Sequence, residues 1–192
     1  DDTKQKSPPI DITVRQDGKK EDTRKIFLDL LALKESILEA ITQNPAQYRF
    51  LLRAAELSLL GEFTYSEKEG FRYLRNRINE EESPAMKAIL QTVHDKFQDI
   101  SREKFNIKKG RRLYFFQKYT IAEARSLIDA GASGVIIANE QGLGKTVVAL
   151  AIINGSEATI ITPNAVVTTW TEEEEKFIPK PTIEALEGSY PE

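Results

Sequence analysis

The sequence predicts an α/β protein in which an all-helical N-terminal domain precedes a unit built on a parallel sheet. Three observations predict this class. Apolar residues recur at helical spacing up to about residue 102, short apolar runs alternate with helical patterns beyond residue 113, and a glycine-rich turn joins one such run to a helix. A chain of 192 residues, 40% of them apolar, is long enough to bury the cores of one or two domains.

The pattern divides the chain into four segments. They are a polar lead-in at 1–21, a helical domain at 22–101, a basic linker at 102–112 and the α/β unit at 113–192. Alternating apolar and polar residues at 10–14 are typical of a short strand, and a mobile lead-in is the alternative. The first part of the chain is basic and the second acidic, an asymmetry that gives weak support to nucleic-acid contact.

Composition excludes several classes of protein. The chain has no cysteine, so disulfides and thiolate metal sites are excluded. No apolar run approaches the roughly 20 residues that cross a bilayer, and the polar first residues contain no visible signal peptide. We therefore expect no membrane association and an intracellular location, in the cytoplasm, nucleoid or nucleus. Both ends look like cuts, so we expect a fragment of a longer protein.

Cap signals set the helix starts in the helical domain. Asn44 and Ser83 each precede a proline, Ser66 stands three residues before Glu69 as in a capping box, and Gly61 is a suitable helix stop. Four helices with short links predict a small bundle. The apolar residues predicted to face one another are Ile26, Phe27, Leu30, Leu31, Leu38, Ile41, Phe50, Leu51, Leu52, Leu57, Leu60, Phe71, Leu74, Ile78, Met86, Ile89, Leu90, Val93, Phe97 and Ile100.

Strands and helices are expected to alternate in the α/β unit. The predicted strands are 134–138, 158–162 and 182–186. The predicted helices run from a capping box at Thr120 to residue 129 or 130, from Lys145 to Ile153, and over 165–177. Continuous apolar strands separated by helices predict a parallel sheet that is covered by those helices.

A glycine-rich turn between a predicted strand and a helix is the strongest functional signal. Gly142 and Gly144, with Leu143 between them, let backbone N–H groups approach an anion closely. Lys145 would reach the outer phosphates of a bound polyphosphate, and the Thr146 hydroxyl would ligate magnesium. Asn139 stands where the general phosphate-loop pattern has its first glycine. No Asp follows Thr146, so the chain lacks the strand ending in Asp-Glu that hydrolysis requires.

Two further stretches are informative only in combination with the loop. Gln117 ends the run Leu-Tyr-Phe-Phe-Gln, and its amide matches the N6/N7 edge of adenine, although core aromatics beside a solvated Gln are the simpler interpretation. The stretch 160–177 is an apolar run, a proline and an amphipathic helix. The glutamates at 172–175 would be a solvated face, and Trp170 and Phe177 would belong to a core.

In order and spacing, these elements resemble the start of superfamily 2 helicase-like ATPases of the Swi/Snf chromatin-remodeller and DNA-translocase type. That family shows Leu-Arg-Pro-Tyr-Gln, then Ala-Asp-Glu-Met-Gly-Leu-Gly-Lys-Thr, then an apolar strand, Pro, a Trp and an acidic helix. The counterparts here are 113–117, 138–146 and 160–177. The resemblance covers about 111–190 and implies the first part of a RecA-like ATPase lobe, with the later motifs lying beyond residue 192.

The resemblance also implies roles for single residues. Gln117 would read adenine, and Gly142, Leu143, Gly144, Lys145 and Thr146 would hold ATP and magnesium, the last two as catalytic residues. Thr162 and Pro163 would lie near a nucleic-acid backbone. The parent would be an ATPase that translocates on double-stranded DNA, and the fragment alone would turn over ATP negligibly.

The chain departs from the family pattern at three places. Asn139 replaces Asp, Gln141 replaces Met, and residues 114–115 are Tyr-Phe instead of Arg-Pro. The first two substitutions leave the loop backbone intact, whereas the third changes the surroundings of the adenine contact.

Other interpretations stay open. The loop would also suit another phosphate-loop ATPase, such as a restriction-type helicase subunit or an AAA-like protein. The helical domain would alternatively dock a protein partner, or self-associate, on an inactive lobe. The basic linker at 102–112 would contact phosphate or remain a solvated connection. His94, the single histidine, is predicted to be packed or on the surface rather than a metal ligand.

Overall fold

The computed structural model describes residues 35–153 and 156–184. The predicted lead-in at 1–21, the apolar stripe from Ile26 to Leu31 and the end of the third predicted strand lie outside the described residues.

The described chain consists of helices joined by turns and irregular segments. Helix α1 spans Glu35–Gln43, α2 Pro45–Leu60, α3 Glu67–Glu80, α4 Pro84–Arg102, α5 Phe115–Asp129, α6 Lys145–Ile153 and α7 Val167–Phe177, with 3₁₀ turns at Gly61–Phe63 and Asn164–Val166. None of the described helices is both long and apolar enough to cross a membrane.

The predicted helix starts of the bundle are confirmed by their caps. The Asn44 side-chain oxygen accepts the N–H groups of Ala46 and Gln47 at 3.1 and 3.3 Å. The hydroxyls of Ser66 and Ser83 likewise accept N–H groups three residues on, at 3.4 and 3.2 Å. Each contact satisfies a backbone donor that the first helical turn leaves without an intrahelical partner. The chain therefore enters α2, α3 and α4 at the positions that local chemistry predicts.

Helices α1 to α4 pack around one apolar core. Its fully buried members include Leu38, Leu51, Leu74, Ile89, Leu90, Val93 and Phe97. Phe63, which the sequence analysis did not single out, lies at the centre, with its ring 5.1 Å from Phe97 and 4.9 Å from Phe71. Its 3₁₀ turn begins at Gly61, the residue that caps the C-terminus of α2 as predicted.

Helix α5 belongs to two cores at once. Phe115 and Tyr119, one helical turn apart, lie in the bundle core, where the Phe115 ring stacks on Phe63 at 4.5 Å. On another face of the helix, Ile121 joins a second, smaller core with Val148 of α6. Other members of that core are Leu113, Val147 and Ala151, with Phe105, Ile107, Ile137, Ile152 and Phe177 partly buried against it. Helix α5 is thus the common wall between the bundle and the region around the glycine-rich turn.

The predicted α/β class with a parallel sheet is wrong: no strand occurs among residues 35–153 and 156–184. The segments 134–138 and 158–162 carry no regular secondary structure, and Ile136 and Ile161 are 79% and 92% exposed. Of the third predicted strand, residues 182–184 are described and are also irregular.

These segments do not form strands because, within the described part of the chain, they lack neighbouring strands to pair with and helices that cover both faces. A parallel strand needs hydrogen-bonded neighbours and helices on both faces. Here the apolar side of α6 packs against α5 through Val148 and Ile121. In the segment 134–138, Ile137 is partly buried against this core, whereas Ile136 is exposed. No backbone hydrogen bond joins 134–138 to 158–162, both of which the structure describes. A continuous apolar run alone does not distinguish a strand from an irregular segment.

The helices of the second part were predicted more accurately than its strands. Helix α6 has the predicted bounds, and α7 ends at Phe177 as expected after a 3₁₀ turn that begins at Asn164. The predicted start of α5 at Thr120 is wrong, because the helix begins at Phe115 and the Thr120 hydroxyl bonds the Phe116 carbonyl at 2.8 Å inside it. The predicted stop is correct, since Gly131 has φ of 87° just beyond the helix.

Candidate functional site

The glycine-rich turn lies between an irregular segment and the start of α6. Gly142 and Gly144 have φ of 83° and 73°, in the left-handed region that side chains with a Cβ rarely adopt. The Leu143 N–H group points back to the Glu140 carbonyl, at 3.4 Å. The two glycines therefore give the backbone a tight fold directly before the N-terminus of a nine-residue helix.

Lys145 folds back over this turn. Its amine donates hydrogen bonds to the carbonyl oxygens of Asn139 and Glu140, at 3.0 and 3.1 Å, and its side chain is exposed. Both partners are neutral carbonyl oxygens, and an ammonium group bonds a negatively charged oxygen more strongly than a neutral one. The amine thus lies against the two carbonyl oxygens at the start of the turn.

Thr146 follows within the first turn of α6 and is half-buried. The first N–H groups of any α-helix lack intrahelical acceptors, and the helix dipole favours negative charge there. Gly142, Leu143, Gly144, Lys145 and Thr146 are consecutive, so they lie together in the turn and the first turn of α6, and their binding of ATP and magnesium stays a prediction.

Gln117 lies against the same turn from the N-terminus of α5. It is 7% exposed, its side-chain oxygen accepts the Tyr114 N–H group at 3.0 Å, and its side-chain nitrogen donates to the Leu143 carbonyl at 3.1 Å. A Cβ placed on Gly144 would meet this nitrogen at 2.6 Å. The Gln117 amide still has one hydrogen and one oxygen lone pair that could bond a ligand, so the adenine contact stays a prediction. In the structure, Gln117 links the start of α5 to the turn.

One further hydrogen-bond donor beside the turn lacks a partner in the part of the chain that the structure describes. Besides the backbone N–H groups and the Lys145 amine, the Asn139 side-chain nitrogen is buried and has no hydrogen-bond partner among the described residues. A buried donor without a partner is unfavourable unless an acceptor reaches it. Asn139 is neutral, so its side chain places no negative charge beside the turn.

Thr162 and Pro163 lie elsewhere on the chain. Thr162 is half-buried and Pro163 exposed, and the Pro163 carbonyl accepts the Val166 N–H group at 3.0 Å in the 3₁₀ turn before α7. No hydrogen bond joins either residue to the turn at 139–146, all of which the structure describes. The structure therefore does not unite these two residues with the phosphate loop, and their nucleic-acid role stays a prediction.

Part of the basic linker has a structural partner that the sequence analysis missed. The Lys108 amine donates to the Glu175 carbonyl at 3.1 Å, and the Arg111 guanidinium donates to the Lys176 carbonyl at 3.3 Å. Arg111 also lies over the Phe177 ring, 5.5 Å from its centre. Cations at the C-terminus of a helix complement its unpaired carbonyls and its dipole. Two of the basic side chains are thus used to dock the linker on α7.

Arg125 and Glu174 act on backbone groups in a similar way. Arg125 donates to the Ala151 carbonyl in the last turn of α6 at 2.7 Å and pairs with Glu103 at 2.9 Å. Glu174 was expected on a solvated face but is 6% exposed, and its carboxylate accepts the N–H groups of Thr182 and Ile183, both at 2.9 Å. In the sequence, Glu174 is one of four consecutive glutamates, and this pattern does not indicate which of the four is buried.

His94 is packed, which agrees with the prediction. It is 7% exposed, its ring is 5.8 Å from that of Phe71, and its Nδ1 lies 3.2 Å from the Asp95 carboxylate. Hydrogen bonds from His94 and then from Gln91 lower the pKa of the Asp95 carboxyl below its usual value. Within the described residues, no group of three or more His, Asp or Glu side chains is arranged to hold a metal ion.

Comparison with known proteins gives one partial similarity. The chain is 28% identical over 113 residues to the DNA excision repair protein ERCC-6-like of Bos taurus, and the aligned part covers 54% of this chain and 9% of that protein. No protein-family model and no solved structure matches the chain. The chain therefore spans about a tenth of the length of the relative it matches, and it shares weak, partial similarity with a DNA repair protein.

Proposed function

We propose that this chain carries the ATP-binding loop of a DNA-dependent ATPase related to the Swi/Snf-type translocases, which move on double-stranded DNA. The single observation that carries the proposal is the arrangement of Lys145 at the turn. Its amine lies 3.0 Å from the Asn139 carbonyl, beside two left-handed glycines and the N-terminus of α6. The similarity to a DNA excision repair protein supports the DNA-dependent part.

In this proposal each group of the loop has a defined role toward MgATP. The backbone N–H groups of Gly142 and of residues 144–146, with the Lys145 amine, would bind the β- and γ-phosphates, and the Thr146 hydroxyl would hold magnesium. The bound magnesium supplies charge neutralisation on the phosphates. The free donor and acceptor of Gln117 would select adenine.

Lys145→Ala tests the nucleotide site. We expect ATP affinity to fall about 30- to 1000-fold, because removing a charge that meets a partly buried phosphate costs on the order of 2–4 kcal/mol. The measurement is titration calorimetry with ATP and magnesium. Lys180→Ala, which removes an exposed lysine elsewhere, is the matched control and should bind like the wild type. Equal affinity of the Lys145→Ala variant and the wild type would contradict the proposal.

The same proposal limits the catalytic competence of this chain. Because no Asp follows Thr146 in the sequence, the second magnesium carboxylate and the residue that orients water must come from elsewhere. We expect ATP binding with negligible phosphate release, with or without duplex DNA. Robust DNA-stimulated phosphate release by the purified chain would reject this assignment of roles.

The contact with DNA is proposed for Thr162 and Pro163, at the entrance to the 3₁₀ turn before α7. Contacts of this kind reach the phosphate backbone and do not depend on sequence. Duplex binding followed by fluorescence anisotropy should weaken in Thr162→Ala and become weaker still as salt increases. Thr182→Ala is the control, because the Thr182 contact with Glu174 uses its backbone N–H group. A loss of the same size in both variants would contradict the site.

A further inference from the structure

Five polar side chains from three helices meet under α5. Arg53 and Glu56 come from α2, Lys96 from α4, and Tyr119 and Glu123 from α5. Glu56 is 2% exposed, and its two oxygens accept hydrogen bonds from the Lys96 amine at 2.8 and 2.9 Å. The Tyr119 hydroxyl donates to the same carboxylate at 2.6 Å. We call these five residues the α5 cluster.

The members of the cluster are linked to one another by hydrogen bonds and ion pairs, and their charges balance. Arg53 donates to Glu123 at 2.7 Å, to Glu56 at 3.2 Å and to the Tyr119 hydroxyl, and Lys96 pairs with Glu123 at 2.7 Å. Burial alone would lower the pKa of the Arg53 guanidinium, but Tyr119, Glu123 and Glu56 raise it overall. Two cations thus face two carboxylates, and this pairing offsets part of the cost of burying the Glu56 side chain.

Such a cluster fixes geometry more than it adds stability. Apolar side chains of equal volume at these positions would give similar or greater stability, because the desolvation of buried charges offsets most of their attraction. Directional bonds from three helices, in contrast, are satisfied at only one rotation of α5 about its axis. We take this directional constraint as the main physical consequence of the α5 cluster.

The rotation of α5 matters because Gln117 lies two residues before Tyr119, on the side facing the phosphate loop. Gln117 bonds the Leu143 carbonyl at 3.1 Å, beside Gly144. A rotation of 20° moves an atom about 5 Å from the helix axis by about 1.7 Å, which is enough to break that hydrogen bond. Helix α5 therefore connects the α5 cluster on one face with the loop on the other.

We propose that the α5 cluster positions α5 so that Gln117 holds the glycine-rich turn in its binding conformation. Through this contact the helical bundle regulates the affinity of the loop for a nucleoside triphosphate. Tyr119, Glu56 and their partners are positioning residues that act through Gln117. The nucleotide part of this proposal rests on the proposed function, whereas the mechanical coupling of cluster and turn stands on the structure alone.

Tyr119→Phe is the most discriminating variant, because it removes one hydroxyl and keeps the ring in the bundle core. The first readout is amide hydrogen exchange at residues 142–144 without any ligand, which we expect to accelerate 3- to 10-fold. Ile89→Val, a core change of modest cost that touches no charge, should leave exchange at these residues unchanged. Glu123→Gln, with a circular dichroism melt to establish folding, repeats the test at the other cluster residue of α5.

The second readout is affinity for ATP and for tripolyphosphate, which reports on the loop without a base. Tyr119→Phe should weaken both affinities 3- to 10-fold, and Gln117→Ala should weaken them about 10-fold. The double variant should bind no more weakly than Gln117→Ala, because the effects of two coupled residues do not add. Tyr65→Phe, at a fully exposed tyrosine, is the control.

The outcomes separate the two proposals. Unchanged loop exchange in Tyr119→Phe, or affinity losses that add in the double variant, would overturn the coupling. If the wild type binds neither ATP nor tripolyphosphate, the proposed function fails and the nucleotide part of this proposal fails with it, while the exchange experiment still decides whether the cluster and the turn are coupled.

Discussion

The two sides of α5 are stabilised in different ways. The bundle side has a large aromatic and aliphatic core, in which the ring of Phe97 is 5.1 Å from Phe63 and 5.2 Å from Phe115. The loop side has a small apolar core and relies on charged side chains that bond helix ends and single backbone groups, as Arg125 and Glu174 do. The bundle is therefore fixed by burial, and the loop side by a few specific contacts that reach it from α5, the linker and α7.

This difference predicts different sensitivities. Burial of apolar area is spread over many contacts, so a bundle side chain contributes in proportion to its size. A backbone carbonyl that accepts its side-chain hydrogen bond from one arginine loses that bond entirely when the arginine is replaced. Ile136 and Ile161, 79% and 92% exposed, show how little apolar burial supports the irregular segments 134–138 and 158–162.

Phe97→Ala should have the largest effect on stability. The ring is fully buried in the bundle core, so its removal should cost about 3–5 kcal/mol in the free energy of unfolding. Val148→Ala in the second core should cost about 2 kcal/mol, because fewer methyl groups are lost. Urea denaturation followed by circular dichroism measures both. A larger loss for Val148→Ala would mean that the two regions have been ranked in the wrong order.

Local signals explain why the bundle was predictable from sequence. A cap such as Asn44, and apolar spacing such as that of Leu90, Val93 and Phe97, act within one or two helical turns. The predicted sheet failed because a strand depends on partners that are distant in sequence, and the apolar run at 134–138 does not encode them. Phe63 was missed for a related reason: its burial follows from the 3₁₀ turn that begins at Gly61.

Glu56→Gln should have the next largest effect. It leaves Lys96 and Arg53 with fewer charged partners in a buried position, and we expect a loss of about 3 kcal/mol. Glu172→Gln, whose side chain is 66% exposed and lies 3.7 Å from Lys176, should change stability by less than about 0.5 kcal/mol. Thermal melts of the two variants beside the wild type test this, and similar midpoints for both would argue against a buried cluster.

Gly144 and Gly142 offer a matched pair on the loop side. Both have positive φ, so an alanine at either should cost about 1 kcal/mol through backbone strain. At Gly142 an added Cβ meets nothing within 4 Å, whereas at Gly144 it would meet the Gln117 side-chain nitrogen at 2.6 Å. Gly144→Ala should therefore cost about 2 kcal/mol and Gly142→Ala about 1 kcal/mol in urea denaturation. Equal losses in the free energy of unfolding would indicate that the Gln117 side chain does not lie against Gly144.

The contacts of the candidate site could be predicted from the sequence only in part. The residues from Gly142 to Thr146 are consecutive, so their proximity follows from the sequence alone. The contact of Gln117 with Leu143 spans 26 positions, and the sequence suggested only that both serve one nucleotide. The docking of Lys108 and Arg111 on α7 was invisible in the sequence, because a basic run gives no indication of which carbonyls it will meet.

The smallest effect that we predict concerns alkaline pH. Burial, together with Glu56 and Glu123, raises the pKa of the Tyr119 hydroxyl well above its usual value of 10.0, although Arg53 opposes the shift. Because the pKa is raised in the folded protein, the Tyr119 hydroxyl contributes its full stabilisation below pH 10. This stabilisation is lost as the pH rises above 10, since Tyr119 releases its proton in the unfolded chain before it does so in the folded protein. At pH 10.5 the loss is roughly 0.8 kcal/mol.

The wild type should therefore lose about that much more stability than Tyr119→Phe between pH 8 and pH 10.5, as measured by urea midpoints at both values. Tyr65→Phe, which alters a fully exposed tyrosine, should behave like the wild type, and identical losses in all three proteins would place the Tyr119 hydroxyl in contact with water.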